Sequence, residues 1–290
     1  MRLRLLVCAA ALLAAASASV PTGGAAPVRE GAGRATPVVE RAGAPTPVVE
    51  AAGHGRADTS VRGAVPTVVL DPGHQLGNRR HGAQIRRPVD AGGFTKPCNT
   101  TGTATNAGVP ESTIVWGITQ RVARVLRARG VRVVLTRSAD SDRLWGPCVD
   151  VRGRLANPGT SASPADLRVS IHADGSLRRG ARGFHVIAPS TGAGRGVVPV
   201  QGSVRLARSL RDALVQRGLV TSTYTGRAGL VQRSDIATLN LSAVPAAMIE
   251  TGNLRDPSDA RRLTSASGQQ RVADAVARGI LAVLADRSRP

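Results

Sequence analysis

Short strand-length segments rich in aliphatic residues, each closed by a polar residue, recur along this chain. Val68-Val69-Leu70 runs into Asp71-Pro72-Gly73-His74, residues 167–171 lead to His172, and Ala246-Ala247-Met248-Ile249 leads to Glu250. The continuous Val/Leu run of the first reads as a strand buried on both faces, which Pro72 and Gly73 cannot continue, and the other two read as strands as well. Elsewhere the period is helical. Ile114, Val115, Ile118, Val122, Val125 and Leu126 fall on one face, which predicts a helix over 111–129 between Pro110 and Gly130. Residues 131–135 then read as the second strand in chain order, and strand, helix, strand implies a parallel unit with a right-handed crossover. The pattern also predicts a short helix over 151–157, a strand over 183–188, a helix over 203–217 and a last helix over 269–285. Such alternation predicts an α/β fold: a single domain over 65–287 with a mostly parallel twisted sheet flanked by helices.

The segment 75–110 breaks the alternation, being long, polar and rich in glycine. A loop of that length inside a compact domain is functional or pinned. The head of the chain reads differently again. Arg2 and Arg4 precede an apolar stretch over 5–16 and a small-residue cleavage site at Ala16-Ser17-Ala18, the pattern of a secretory signal peptide over 1–18. The stretch is too short to span a bilayer, so no stable membrane insertion is expected. A lipoprotein reading through Leu5-Leu6-Val7-Cys8 would leave almost no apolar region before cleavage. Residues 19–64 carry a decamer-like repeat, with Pro27-Val28-Arg29-Glu30 followed by two Thr-Pro-Val-Val-Glu copies ending at Glu40 and Glu50. Three proline-rich copies are too few to stack, and the segment is expected to be an extended or disordered tether.

Export changes how the cysteines read. Once Cys8 leaves with the signal, Cys98 and Cys148 are an even pair in an oxidising compartment. A disulfide is expected over a metal site or a nucleophile, two free thiols being the alternative. The net charge of +20 on 290 residues raises a nucleic-acid reading, which the composition weakens. Lys96 is the only lysine among 39 basic residues, as in the arginine-rich output of a GC-rich genome, and the five aromatics supply no set of stacking platforms. No nucleic-acid partner is expected. For an exported chain, positive charge implies salt-sensitive attraction to an anionic cell envelope.

The chemistry lies where the strands end. His74, His172 and Glu250 close three strands at their carboxyl ends, the edge at which open α/β sheets bind ligands. The helix after the first strand begins at that edge with Glu111. Each residue alone has a plain reading: Glu111 could complement the helix dipole, and His172 could be a satisfied core histidine. Together, two imidazoles and a carboxylate are the ligand set of a catalytic zinc site, and a second carboxylate is what such a site needs as a base. His185 within a strand reads as structural, and neither His81 nor His54 has an assignable partner.

Asp71-Pro72-Gly73-His74, the helix-opening Glu111, Ser170-Ile171-His172-Ala173-Asp174 and Ile249-Glu250-Thr251-Gly252-Asn253 resemble, in order, the four signature segments of the zinc-dependent N-acetylmuramoyl-L-alanine amidases of the amidase-3 type. The resemblance covers about 66–287. It implies one zinc ion on His74, Glu111 and His172, Glu250 as the catalytic residue, and peptidoglycan as substrate. The leader and the positive charge add the expectation of a secreted, wall-associated protein, and with no sign of an obligate interface a monomer is expected. Gln75-Leu76 stands where many members carry glycines, which sets the adjacent loop apart. Gly-rich stretches over 77–108 and 226–240 are expected to wall the groove. Two other readings stay open from the residues: a zinc peptidase acting within the stem peptide, and a wall-binding module without turnover, although a pure binder has no need of a base.

Overall fold

The computed structural model describes residues 65–287, so the expected leader, the tether and His54 lie outside the described residues. In chain order the elements are β1 (Thr67–Pro72), α1 (Gly82–Arg86), β2 (Pro88–Asp90), β3 (Thr95–Pro97), α2 (Glu111–Arg127), β4 (Arg132–Leu135), α3 (Val149–Arg154) and β5 (Leu167–Asp174). They continue with β6 (His185–Pro189), α4 (Val200–Gln216), β7 (Leu230–Arg233), α5 (Ala237–Asn240), β8 (Ala246–Asn253), α6 (Pro257–Thr264) and α7 (Ala266–Arg287). Six strands form one sheet in the order β4-β1-β5-β8-β6-β7, and β2 pairs with β3 in a separate hairpin. The first four strands of the sheet run parallel, whereas β6 is antiparallel to β8 and parallel to β7.

Alternation along the strands divides the sheet into two unlike faces. Val68, Leu70, Val169, Ile171, Val186, Ala247 and Ile249 belong to the large apolar core that includes residues of α2, α4 and α7. The intervening positions of β1, β5 and β8 face the other way and include Asp71, Arg168, Ser170, His172 and Glu250. One face therefore supplies cohesion and the other supplies polar chemistry.

Asp71 anchors the second face. Its carboxylate is fully buried and receives Arg152 Nη1 on Oδ1 and Arg168 Nη2 on Oδ2, both at 2.7 Å, with Thr136 Oγ1 donating to Oδ1 at 2.6 Å and Ser170 Oγ donating to Oδ2. Burial pushes the carboxyl pKa up, but the two guanidinium groups and the hydroxyl donors outweigh it and hold Asp71 well below the ordinary carboxylate range. Arg152 Nη1 also donates to Pro72 O at 2.7 Å and its Nη2 to His74 O at 2.6 Å. Arg137 donates through Nε to Pro72 O at 3.1 Å, with its guanidinium carbon 4.8 Å from the centre of the Trp116 ring. These braces surround His74, whose φ of 56° is uncommon for a residue with a side chain.

Several expected boundaries move. β5 and β8 run past His172 and Glu250 to Asp174 and Asn253, because backbone pairing continues beyond an irregularity between His172 and Asp174. The 75–110 segment is not unstructured: it holds a 3₁₀ turn at Leu76–Arg80, α1, β2 and β3. Elements of three to five residues are fixed by turn hydrogen bonds such as Ala91 N–H to Phe94 O (2.8 Å), and they leave no periodic trace. Gln75 caps that turn, accepting from Leu76 and Ser141 N–H and donating to Ala139 O, so the departure from the glycine pattern ties this loop to 139–141. α6 and β7 also escape the pattern, being short.

Cys98 and Cys148 are joined as expected, closing a separation of 50 residues. Beside the bridge, Val149 N–H donates to Cys98 O at 2.7 Å, and Asn99 Nδ2 to Pro147 O at 2.8 Å.

Asp71→Asn leaves two buried guanidinium groups without their counter-charge and should lower stability by about 3–5 kcal/mol in urea melts at neutral pH. The native Asp71 pKa lies below its ordinary 3.8, so its contribution is complete above that value and is lost as pH falls below it. The gap between wild type and variant should accordingly narrow only in acid. Replacing both bridging cysteines by serine should lower stability by about 4 kcal/mol through restored chain entropy. In denatured, unreduced protein, thiol titration should find no free thiol from Cys98 or Cys148.

Candidate metal centre

Glu111 opens α2, and Pro110 ahead of it is extended (φ −67°, ψ 144°). The Glu111 carboxylate is buried and gives its two oxygens different tasks. Oε1 lies 3.2 Å from His74 Nε2 and 3.1 Å from His172 Nδ1, and accepts from Ala173 N–H at 3.1 Å. Oε2 accepts from Thr103 N–H at 3.0 Å. The imidazoles meet edge to face with ring centres 4.9 Å apart. The ligand atoms of His74, Glu111 and His172 all lie within 4.8 Å of one another, a group that could hold a metal ion.

The surroundings fix the orientation of these donors. His74 Nδ1 lies 3.1 Å from Thr100 O. Thr100 Oγ1 lies 3.2 Å from the same nitrogen. With Nδ1 donating to the carbonyl, Nε2 faces Glu111 and is the ring atom available to a cation. Thr100 O is held in turn by Asn78 Nδ2 at 2.8 Å. A Cβ added at Gly73 would lie 2.4 Å from His172 Cε1, so only glycine lets β1 end against that ring. Gly102, at φ 74°, fits equally tightly against Glu111 and His74. Burial pushes the Glu111 pKa up, and the facing imidazoles more than reverse it, leaving the carboxyl well below its usual range. Burial likewise disfavours the charged form of His74, yet the Glu111 carboxylate outweighs it and raises the ring pKa.

Glu250 stands beside this group. It pairs in register with His172 across β5 and with His185 across β6. Its Oε2 is buried with no hydrogen-bond partner. Burial raises its pKa well above the ordinary carboxylate value, Glu111 and Asp174 add to the rise, and Arg233 opposes it. A cavity of about 330 Å³ is lined by His74, Glu111, His172 and Glu250, with walls from 96–103 and 236–238. Both expected wall segments thus contribute to it.

His185, read from sequence as structural, packs within the site's own supporting layer. It is buried, its Nδ1 has no partner, and burial lowers its pKa to about 4. The Tyr224 ring stands perpendicular to it at 6.0 Å, and Tyr224 Oη donates to Asp174 Oδ2 at 2.7 Å. His81 lies in the neighbouring loop, 6.4 Å from the Trp145 ring.

Sequence reasoning missed the residues that orient the donors. Arg168 and Ser170 carried a usable signal, since Leu167-Arg168-Val169-Ser170-Ile171-His172 alternates and assigns both to the His172 face. Arg152, Thr100 and Asn78 carried none, because their roles depend on loops meeting from distant parts of the chain.

A family model described as N-acetylmuramoyl-L-alanine amidase, of the amidase-3 type, matches residues 68–282. An N-acetylmuramoyl-L-alanine amidase of Mycobacterium tuberculosis is 41% identical over 225 residues, which are 77% of this chain and 88% of that protein. The amidase AmiA of Escherichia coli is 27% identical, with 79% of each chain covered. Among solved structures, the N-acetylmuramyl-L-alanine amidase Ami1 of Mycobacterium smegmatis has a TM-score of 0.68 at 41% identity, covering 76% of this chain and 97% of that one. Its counterpart from Mycobacterium abscessus, in the apo form, also has a TM-score of 0.68, at 40% identity and with 76% and 98% covered. The chain belongs to the amidase-3 family of N-acetylmuramoyl-L-alanine amidases, peptidoglycan hydrolases that are zinc-dependent in general.

Gly73→Ala should push the His172 ring out of place. Zinc affinity, measured by competition with a chromophoric chelator, should fall by at least about tenfold, as when a supporting partner of a ligand is lost.

Proposed function

We propose that this chain hydrolyses the amide between the lactyl group of N-acetylmuramic acid and L-alanine of the stem peptide. In this reading residues 65–287 are the catalytic domain of an exported, wall-associated monomer, with a signal peptide over 1–18 and a tether over 19–64. One zinc ion is held by His74, Glu111 and His172, and Glu250 is the catalytic base.

The observation that carries the proposal is the convergence of both imidazoles on one oxygen of Glu111. With the His74 Nδ1 proton engaged by Thr100 O, Nε2 and the Glu111 oxygen face each other at 3.2 Å as two acceptors, which is favourable only with a proton or a cation between them. His172 Nδ1 points at the same oxygen, and two nitrogens and one oxygen are a donor set suited to zinc. When bound, zinc acidifies a water and polarises a carbonyl. Glu250 presents a buried oxygen with no competing hydrogen bond to the same cavity. There it takes a proton from the attacking water and returns it to the departing alanine nitrogen. Asp71, Arg152 and Arg137 keep the chain at 72–74 fixed while this happens, and Thr100 keeps the His74 ring in one tautomer.

Glu250→Gln should retain zinc and lose at least about 10²-fold in turnover, the lower range for a lost proton-transfer group, whereas His172→Ala should lose the metal as well. Wild-type turnover by Glu250→Gln would remove Glu250 from the role of base. Mass spectrometry of muropeptide products should show an intact stem peptide with a free L-alanine amine, abolished by a chelator and restored by zinc. Cleavage inside the peptide would instead assign a peptidase.

A further inference from the structure

Lys96, on β3, lines the cavity that also holds His74 and Glu250. Its Nζ donates to Asp235 O at 2.6 Å and lies 3.8 Å from Asp235 Oδ2. That carboxylate is already committed to Arg233, which donates through Nε to Oδ1 at 2.8 Å and through Nη2 to Oδ2 at 2.7 Å. Two cations thus share the Asp235 carboxylate, beside a cavity whose acidic lining residues are Asp71, Glu111, Asp174 and Glu250. The other lining cation, Arg152, is bound to Asp71. An ammonium has three donors, of which the Asp235 carbonyl takes one. The Lys96 side chain is 36% exposed, so its remaining donors can be reached. In a chain whose other basic residues are all arginine, a lysine at this position runs against the compositional drift. A compact, flexible ammonium suits a single carboxylate oxygen where a planar guanidinium would demand a fork.

We infer that Lys96 forms a subsite for a carboxylate of the stem peptide, and that it reads the free α-carboxylate of the residue following L-alanine. This rests on the amidase reading. Glu250 must reach the alanine nitrogen, and Lys96 lines the same cavity of about 330 Å³, so the side chain is placed to meet the nearest neighbour of that alanine. A charge-assisted hydrogen bond to a carboxylate is about twice as strong as one to a neutral amide. The subsite therefore discriminates an α-carboxylate from an α-carboxamide at the second position of the stem.

The test compares full-length, zinc-loaded wild type with Lys96→Met on two muramoyl tripeptides that differ only in carrying D-glutamate or D-isoglutamine second. Wild type should favour the glutamate form by about tenfold in kcat/KM, the order expected of one hydrogen bond to a charged group. Lys96→Met should lose that preference through KM, with kcat, zinc content and Tm unchanged, and Lys96→Arg should keep part of it. Calorimetric binding of both compounds to Glu250→Gln protein should show the same ratio without turnover. Equal use of both substrates by wild type would overturn the inference, as would a preference that survives Lys96→Met. An equal fall on both substrates in Lys96→Met would also overturn it, by making the lysine a pin on the Asp235 segment. Hydrolysis of neither compound by wild type defeats the amidase reading itself and this inference with it.

Discussion

A carboxylate with no access to water lies between two guanidinium groups at the end of β1, and the placement of His74 depends on it. Buried alone, any of the three charges would be severely destabilising, and even as a cluster they gain little over apolar residues of the same shape. What the cluster supplies is position. Arg152 spends its donors on Asp71 and on the carbonyls of Pro72, His74, Gly146 and Pro147, so the chain reversal after β1 has carbonyl acceptors satisfied in only one arrangement. Arg168 reaches from Asp71 to Thr238 O at 2.8 Å, linking the end of β1 to the cavity wall at 236–238. A residue at φ 56° persists when its surroundings over-determine it, and here they do.

From that anchor the polarity of the sheet follows. β5 places apolar side chains on the helical layer and Arg168, Ser170, His172 and Asp174 on the other face. β8 does the same with Met248 and Glu250. The parallel register sets His172 beside Glu250, and the reversal at β6 brings His185 to the other side of Glu250. Glu250 is thereby enclosed between two strands and lines the cavity. The Cys98–Cys148 bridge performs a comparable task for the loops. It joins the segment that carries Thr100 to the start of α3, which carries Arg152, and both of these hold His74.

How much of this was legible follows from the range of each interaction. The strands that carry or lead to His74, His172 and Glu250 and the helix opening at Glu111 were readable because apolar periodicity and its interruption are local properties, whereas the true ends of β5 and β8 lie further on. Their convergence was readable because a parallel sheet places all its carboxyl ends along one edge. The cysteine pair was readable from compartment and parity. Asp71 was visible only as part of a motif; its two arginine partners lie 81 and 97 positions away, and nothing local marks them. The short elements within 75–110 were hidden because they are held by turn hydrogen bonds and by Gln75, Asn78 and Asn99, which in sequence look like ordinary loop residues.

The same distinction explains why the side chains of the candidate metal centre and the groups that orient them are written so differently in the chain. A candidate ligand must point into a shared space from a strand, a helix start or the turn beside them, which ties its place to the pattern. An orienting group needs only to arrive, from any segment, with a donor or acceptor of the right kind. Thr100 meets His74 Nδ1 with both its backbone carbonyl and its hydroxyl, and only the loop path brings them there. Gly73 and Gly102 contribute by lacking a Cβ where Glu111 and the imidazoles leave no room for one. The centre is therefore specified twice: once by four chemically distinctive side chains, and again by a framework of carbonyls, glycines and buried guanidinium groups that becomes visible only when the chain is folded.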